Sequence, residues 1–157
     1  MCIRDRPLPG TVNYFVGNDP DRWREGIPTY ARAQFKNVYP GIDLVYYGNQ
    51  QQLEYDFVVS PGASPESIRL HFSGADKVEV SPEGGLTLQG RGGRIGFHAP
   101  LLYQTIHGLR EPVLGRFELR ANNTVGFRVG IYRHDQALVI DPVLVYSTCL
   151  LYTSRCV

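Results

Sequence analysis

Cysteine, methionine and tryptophan are scarce in this 157-residue chain, which has three, one and one of them respectively. All three cysteines, Cys2, Cys149 and Cys156, lie in the two end segments, as does Met1. Residues 7 to 148 therefore hold no thiol, and this excludes a disulfide framework, a cysteine-ligated zinc site and a catalytic thiolate. No apolar run reaches membrane-spanning length, so no membrane span is expected. Charge of one sign is missing too: the formal balance is +1, which gives no support for a nucleic-acid partner or an anionic membrane surface. Helical periodicity is nearly absent, and a parallel α/β fold, which needs helical crossovers, is excluded with it. No nucleophile elbow surrounds any serine. His71, His98, His107 and His134 are scattered at no metal-ligand spacing, and each is expected as a partly exposed strand or turn residue. No cofactor site is visible.

The two ends differ in character from the middle. Back-translated, MCIRD at the start and CLLYTS near the end give reverse complements of one another, and both match a transposon end used as a sequencing adapter. Residues 1 to 6 and 149 to 157 are accordingly expected to be non-native and adapter-derived, and are set aside from fold reasoning. Their removal turns the formal +1 into about −1. What remains, residues 7 to 148, is expected to be a single β-rich domain, incomplete on its N-terminal side.

Alternation of apolar and polar residues runs through that domain. Ala31, Ala33 and Phe35 alternate with Arg32, Gln34 and Lys36, and Ile68, Leu70 and Phe72 with Arg69 and His71. Val125, Phe127, Val129 and Ile131 alternate with Gly126, Arg128 and Gly130, while Val139 to Tyr146 is a longer apolar run broken by Asp141 and Pro142. Glycine, proline, serine and asparagine clusters separate these runs. Short strands at such spacing predict an all-β fold, an antiparallel β-sandwich or an open barrel. Asp19, Pro20 and the closing Gly26 predict one short helical turn, with Trp23 pinning it to the sheet, and a second turn is expected at Pro65 to Ser67.

The most informative segment is NVYPGIDLVYYGNQQQLEYDFVV, Asn37 to Val59. Ile42, Leu44 and Tyr46 share one face of its first strand, and Leu53, Tyr55, Phe57 and Val59 share one face of the second. With a turn at Gly48 to Gln51, Ile42 would face Phe57 on the buried side and Asp43 would face Asp56 on the outer side, Glu54 beside them. Opposed like charges are destabilising. They call for a cation, a protonated carboxyl in a catalytic pair, or basic neighbours, and Arg32, Lys36 and Arg69 on adjoining segments favour the last over a calcium site or a glycosidase-like pair. Tyr47, Asp43, Glu54 and Asp56 are thus the candidate binding residues, Tyr47 as an exposed ring able to stack on sugars. Glu54 and Asp56, about 7 Å apart on one face, also admit a hydrolase.

Other motifs have plainer explanations. Asn18, Asp19 and Asp21 lack the spacing and trailing glutamate of a calcium loop, and capping accounts for them. GRGGRIG, Gly90 to Gly96, misses the dinucleotide fingerprint and suits a hairpin turn. Asn122, Asn123 and Thr124 form a glycosylation sequon, yet an Asn-Asn pair between two strands is first a turn that tolerates positive φ.

The phrases LPGTVNYFVGNDPDRW, IPTYARAQFKNVYPGIDLVYYGNQQQLEYDFVVSPGASP, PLLYQ and LVIDPVLVYST closely resemble the N-terminal domain of unknown function of bacterial proteins that carry SBBP-type β-propeller repeats. The resemblance runs through nearly all of residues 8 to 148 and departs from the family at Cys149. It implies an extracellular or cell-surface module ahead of propeller repeats in the same chain, non-catalytic, with a structural or interaction role toward a cell-surface glycan or protein. It carries over no catalytic residue. A carbohydrate-binding module using Tyr47 is the alternative, and a hydrolase using Glu54 and Asp56 the second.

Overall fold

The computed structural model describes residues 2–49 and 52–147. In chain order the strands are β1 (Cys2–Tyr14), β2 (Arg24–Tyr39), β3 (Ile42–Asn49), β4 (Gln52–Val59), β5 (Leu70–His71), β6 (Lys77–Val80) and β7 (Leu86–Gly90). They continue as β8 (Gly93–Phe97), β9 (Leu101–Ile106), β10 (Leu109–Val113), β11 (Gly115–Leu119), β12 (Thr124–Val129), β13 (Leu138–Asp141) and β14 (Leu144–Ser147). Every pairing is antiparallel. Seven strands form the large sheet in the order β1-β2-β3-β4-β13-β9-β10, and two smaller sheets follow the orders β11-β12-β5 and β14-β8-β7-β6. None of the three closes on itself. The fold is an all-β sandwich.

Alternation decides which face of the large sheet is dry. On β3 and β4, Ile42, Phe57 and Val59 are buried while Asp43, Glu54 and Asp56 lie on the opposite face. β13 and β9 extend the dry face with Leu138, Ile140 and Leu102, and the small sheets cover it with Val78, Leu86, Phe117, Val125 and Phe127, joined by Ile68 at the end of the Pro65–Ser67 turn. A chain of aromatic contacts threads this interior. Phe35, Tyr46, Tyr55 and Phe57 follow one another across the large sheet at centroid distances of 5.9, 5.8 and 5.9 Å. Phe57 then meets Phe127 at 5.9 Å, Phe127 meets Phe117 at 5.3 Å, and Phe117 meets Phe97 of the four-stranded sheet at 6.0 Å. All three sheets are therefore joined through edge-on or tilted rings, arrangements that add to the area they bury.

Among the described residues one polar side chain is buried, that of Gln104. Gln104 donates from Nε2 to the carbonyls of Arg133 at 2.7 Å and Gln136 at 3.2 Å, and its Oε1 accepts from the Arg133 N–H at 2.8 Å. It ties the loop before β13 to β9.

Several expectations are corrected. The hairpin is shifted by two residues: Ile42 pairs with Val59, Leu44 with Phe57 and Tyr46 with Tyr55, so Asp43 stands opposite Val58 rather than Asp56. The faces survive because a slip of two preserves the pleat. The ladder continues to Asn49 and Gln52; Gln50 and Gln51 of the expected turn lie outside the described residues. The turn at Pro20–Arg22 is a 3-10 turn capped by Asp19, but it ends at Trp23, and Gly26 belongs to β2 at φ 66°. Trp23 does not pin that turn to the sheet core; it is 38% exposed, meets Phe15 edge-on at 5.2 Å and donates Nε1–H to the Gly17 carbonyl. The strand expected over 68 to 72 shortens to Leu70–His71 because the capped 3-10 turn Pro65–Ser67 takes its start.

Other expectations hold. Gly90 pairs with Gly93 in the β7–β8 hairpin, and Asn123 takes φ 53° in a 3-10 turn. β1 begins within the segment expected to be adapter-derived, with Cys2 to Asp5 paired along Phe35 to Arg32. The C-terminal segment 149–157 lies outside the described residues.

Candidate functional site

The outer face of the large sheet gathers most of the candidate residues into one row. Tyr47 on β3 stands between Arg32 on β2 and Glu54 on β4. Its hydroxyl donates to Oδ1 of Asp56 at 3.0 Å, and the Arg32 guanidinium lies 5.7 Å from its ring centroid. The β4–β13 pairing, Val58 with Val139 and Phe57 with Ile140, brings Asp141 level with Asp56. Beyond it, Tyr103 on β9 pairs with Val139, and Arg110 on β10 places its guanidinium 4.5 Å from the Tyr103 centroid. Two arginine-covered tyrosines thus flank Glu54, Asp56 and Asp141. All five of these flanked and flanking tyrosines and acids are half-buried.

Burial and crowding shift the ionisations of the row. Asp141 is pushed up to about 6, first by burial and then by the charges of Asp56 and Glu54, with Arg110 opposing. Asp56 is raised by burial, against the Tyr47 hydrogen bond and Arg32, which both favour its charged form. The Tyr47 hydroxyl is held well above the usual tyrosine range by burial, then by the charges of Asp56 and Asp141. Burial also raises Tyr103, with Arg110 opposing. At neutral pH this is a face of neutral phenols, carboxylates and guanidiniums compensating one another sideways.

Asp43 does not join the row. Its carboxylate accepts from Gln34 Nε2 at 2.7 Å and from the Asn37 N–H at 2.8 Å. Asn37 has φ 52° and sits where the β2–β3 register shifts between Phe35 and Tyr39, so Asp43 braces a bulge. Of the basic residues expected to balance the carboxylates, Arg32 does so. Arg69 instead donates to the carbonyls of Glu66 and Ile68, away from the hairpin. Among the described residues the carboxylates form no metal-ligating group. Asp141, Tyr103 and Arg110 were not singled out by the sequence reading. Asp141 left a signal, an acid interrupting an apolar run, but its neighbour across the sheet is set by long-range pairing.

Comparison with known proteins returned one family. The chain matches a domain of unknown function, DUF7948, over residues 2–143. No curated protein and no solved structure matches it. A match of this extent, over an all-β sandwich whose sheets are all antiparallel, places the chain in the family of that domain of unknown function.

Proposed function

We propose that the domain is a non-catalytic module of a larger extracellular or cell-surface bacterial protein, standing ahead of β-propeller repeats and serving in interaction. The observation that carries this reading is the sideways commitment of the outer face. The Tyr47 hydroxyl donates a hydrogen bond to Asp56, Asp43 is held by Gln34 and the Asn37 amide, and Arg32 and Arg110 lie over tyrosine rings. Side chains fixed before contact lose little freedom on binding, and tyrosine and arginine are the residue types that dominate interfaces. The resemblance of the quoted phrases to propeller-bearing proteins supports the surface placement. The test is fractionation of the uninterrupted parent protein in a bacterial host. Recovery outside the cytoplasm, with the domain binding a surface partner and losing it on Arg110→Ala together with Tyr47→Ala, is the expected outcome, and a purely cytoplasmic parent would remove the reading.

A carbohydrate partner for the same face is favoured by one observation, that Tyr47 and Tyr103 share it. A glycan array with the intact domain decides that version. The hydrolase reading rests on Glu54 and Asp56 sharing a strand face, although the most strongly raised carboxyl is that of Asp141. Unchanged turnover by a Glu54→Gln parent of any measured activity would dispose of it.

A further inference from the structure

A concavity of about 580 Å³ opens between the 3-10 turn Pro65–Ser67 and the β11–β12 pair, and no residue of the outer-face row lines it. Arg69, Arg120 and Arg128 line it against Glu66 and Glu118, so three guanidiniums meet two carboxylates and one positive charge is left over.

The three arginines are not equivalent. Arg120 is committed to the fold: Nε meets Glu118 Oε2 at 3.4 Å, Nη1 donates to the Glu66 carbonyl at 2.8 Å and the Ile68 carbonyl at 3.4 Å, and Nη2 reaches the Phe127 carbonyl at 3.5 Å. Its side chain is 18% exposed. Arg128 uses Nε on the other Glu118 oxygen, at 3.1 Å, and is otherwise open to solvent. Arg69 uses only Nη1, on the Glu66 carbonyl and on the Ile68 carbonyl at 3.2 Å. The Arg69 and Arg120 guanidiniums therefore end on the same two carbonyl oxygens. Like charges so close repel, and among the described residues no carboxylate lies within ion-pairing distance of Arg69. Nε and Nη2 of Arg69 and both Nη of Arg128 keep donors for a ligand. On the same wall Tyr132 and His134 hold their rings 4.2 Å apart.

We propose that this concavity binds the carboxylate of an acidic sugar, gripped by Arg69 and Arg128 with Tyr132 and His134 against the sugar ring. The guanidinium fork matches a planar carboxylate in two parallel hydrogen bonds. The single surplus positive charge is neutralised by the one carboxylate seated in the site, the others of an acidic oligosaccharide staying in solvent, whereas a phosphate dianion at that point would leave the site negative. An aromatic face, negative at its centre, attracts the polarised C–H groups of a pyranose. The site goes beyond the outer-face reading and stands whether or not that reading does.

Calorimetric titration of the whole chain with trigalacturonate, maltotriose and inorganic phosphate tests it. Trigalacturonate is expected to bind, and to bind about tenfold more weakly to Arg69→Gln and to Arg128→Gln, as loss of a charge-assisted bond dictates. Arg91→Gln, in the exposed turn between β7 and β8 and away from the concavity, is expected to leave it unchanged. The Arg69 and Arg128 changes are on solvent-facing side chains, and circular dichroism of each variant verifies the fold. Equal binding of maltotriose, tighter binding of phosphate, no binding at all, or trigalacturonate binding undiminished in both the folded Arg69 and Arg128 variants would overturn the assignment.

Discussion

Tyr47 on β3 hydrogen-bonds Asp56 on β4 at 3.0 Å although neither is the other's register partner: Tyr47 stands opposite Glu54, and Asp56 opposite Val45. The bond runs along the diagonal of the pleat, within reach of a long aromatic side chain. It gives Asp56 a neutral donor on the diagonal, while the place opposite Asp56, where the expected register set Asp43, is taken by Val45. The outer face tolerates its three carboxylates because this hydrogen bond and the flanking arginines offset part of their mutual repulsion.

Tyr47→Phe removes the donor and keeps the ring. Asp56 then loses an interaction favouring its charged form, so its already raised pKa should climb further, and the domain should lose about 1–2 kcal/mol at pH 7. Carbon-detected NMR titration of Asp56 and urea unfolding measure the two effects. A titration curve identical to that of the unaltered protein would refute the claimed coupling.

Asp141 makes stability depend on pH with a definite sign. Its folded pKa is near 6 and its unfolded value is the ordinary one near 3.8, so between those values the folded state binds more protons. Stability must fall as pH rises through this window and level off above it. Asp141→Asn should remove this contribution, flatten the slope and stabilise the domain at pH 7 but not at pH 4. Since the side chain is partly solvated, the gain is discounted for screening to below about 1 kcal/mol. Urea midpoints from pH 3.5 to 7.5 check it, and a stability rising over that window in proportion to Asp141 ionisation would contradict it.

Gln104→Ala should loosen the loop before β13. The Arg133 amide and the Arg133 and Gln136 carbonyls lose their buried partner, a penalty of about 2–3 kcal/mol for stranded polar groups. Hydrogen exchange at Arg133 should accelerate far more than at Val58 on neighbouring β4. Uniform acceleration at both would mean that the loop is not held by this side chain.

Phe127→Ala cuts the ring chain between Phe57 and Phe117. A buried phenylalanine removed to alanine costs about 3–5 kcal/mol, enough to take a marginal domain close to unfolding. Near-ultraviolet circular dichroism and the melting temperature report it. Phe35→Ala, at the exposed end of the same chain, should cost much less.

Face assignment along β3 and β4 was legible in the sequence because the period of a strand is two and the buried set is written in Ile42, Leu44, Phe57 and Val59. Register was not: Gly48 and Asn49 suggest a turn one step earlier than the ladder allows, and a shift of two changes partners without changing faces. Hence Tyr47, Glu54 and Asp56 stand together on one face, while Asp43, expected beside Glu54 and Asp56, is held apart at the β2–β3 bulge. Asp141, Tyr103 and Arg110 come from strands that are far away in sequence and adjacent only in the sheet order. No local pattern reports that β13 lies beside β4. The Arg69–Arg120 convergence escaped for the same reason, as one arginine follows a turn and the other precedes β12.

The position of the lone indole has an optical consequence. Trp23 sits beside Phe15 and the Gly17 carbonyl, outside the ring chain that fills the interior. Emission excited at the red edge will therefore follow detachment of a peripheral connection, whereas tyrosine and phenylalanine ellipticity will follow collapse of the centre. The two melting curves need not coincide, and a midpoint taken from indole emission alone would describe the wrong event.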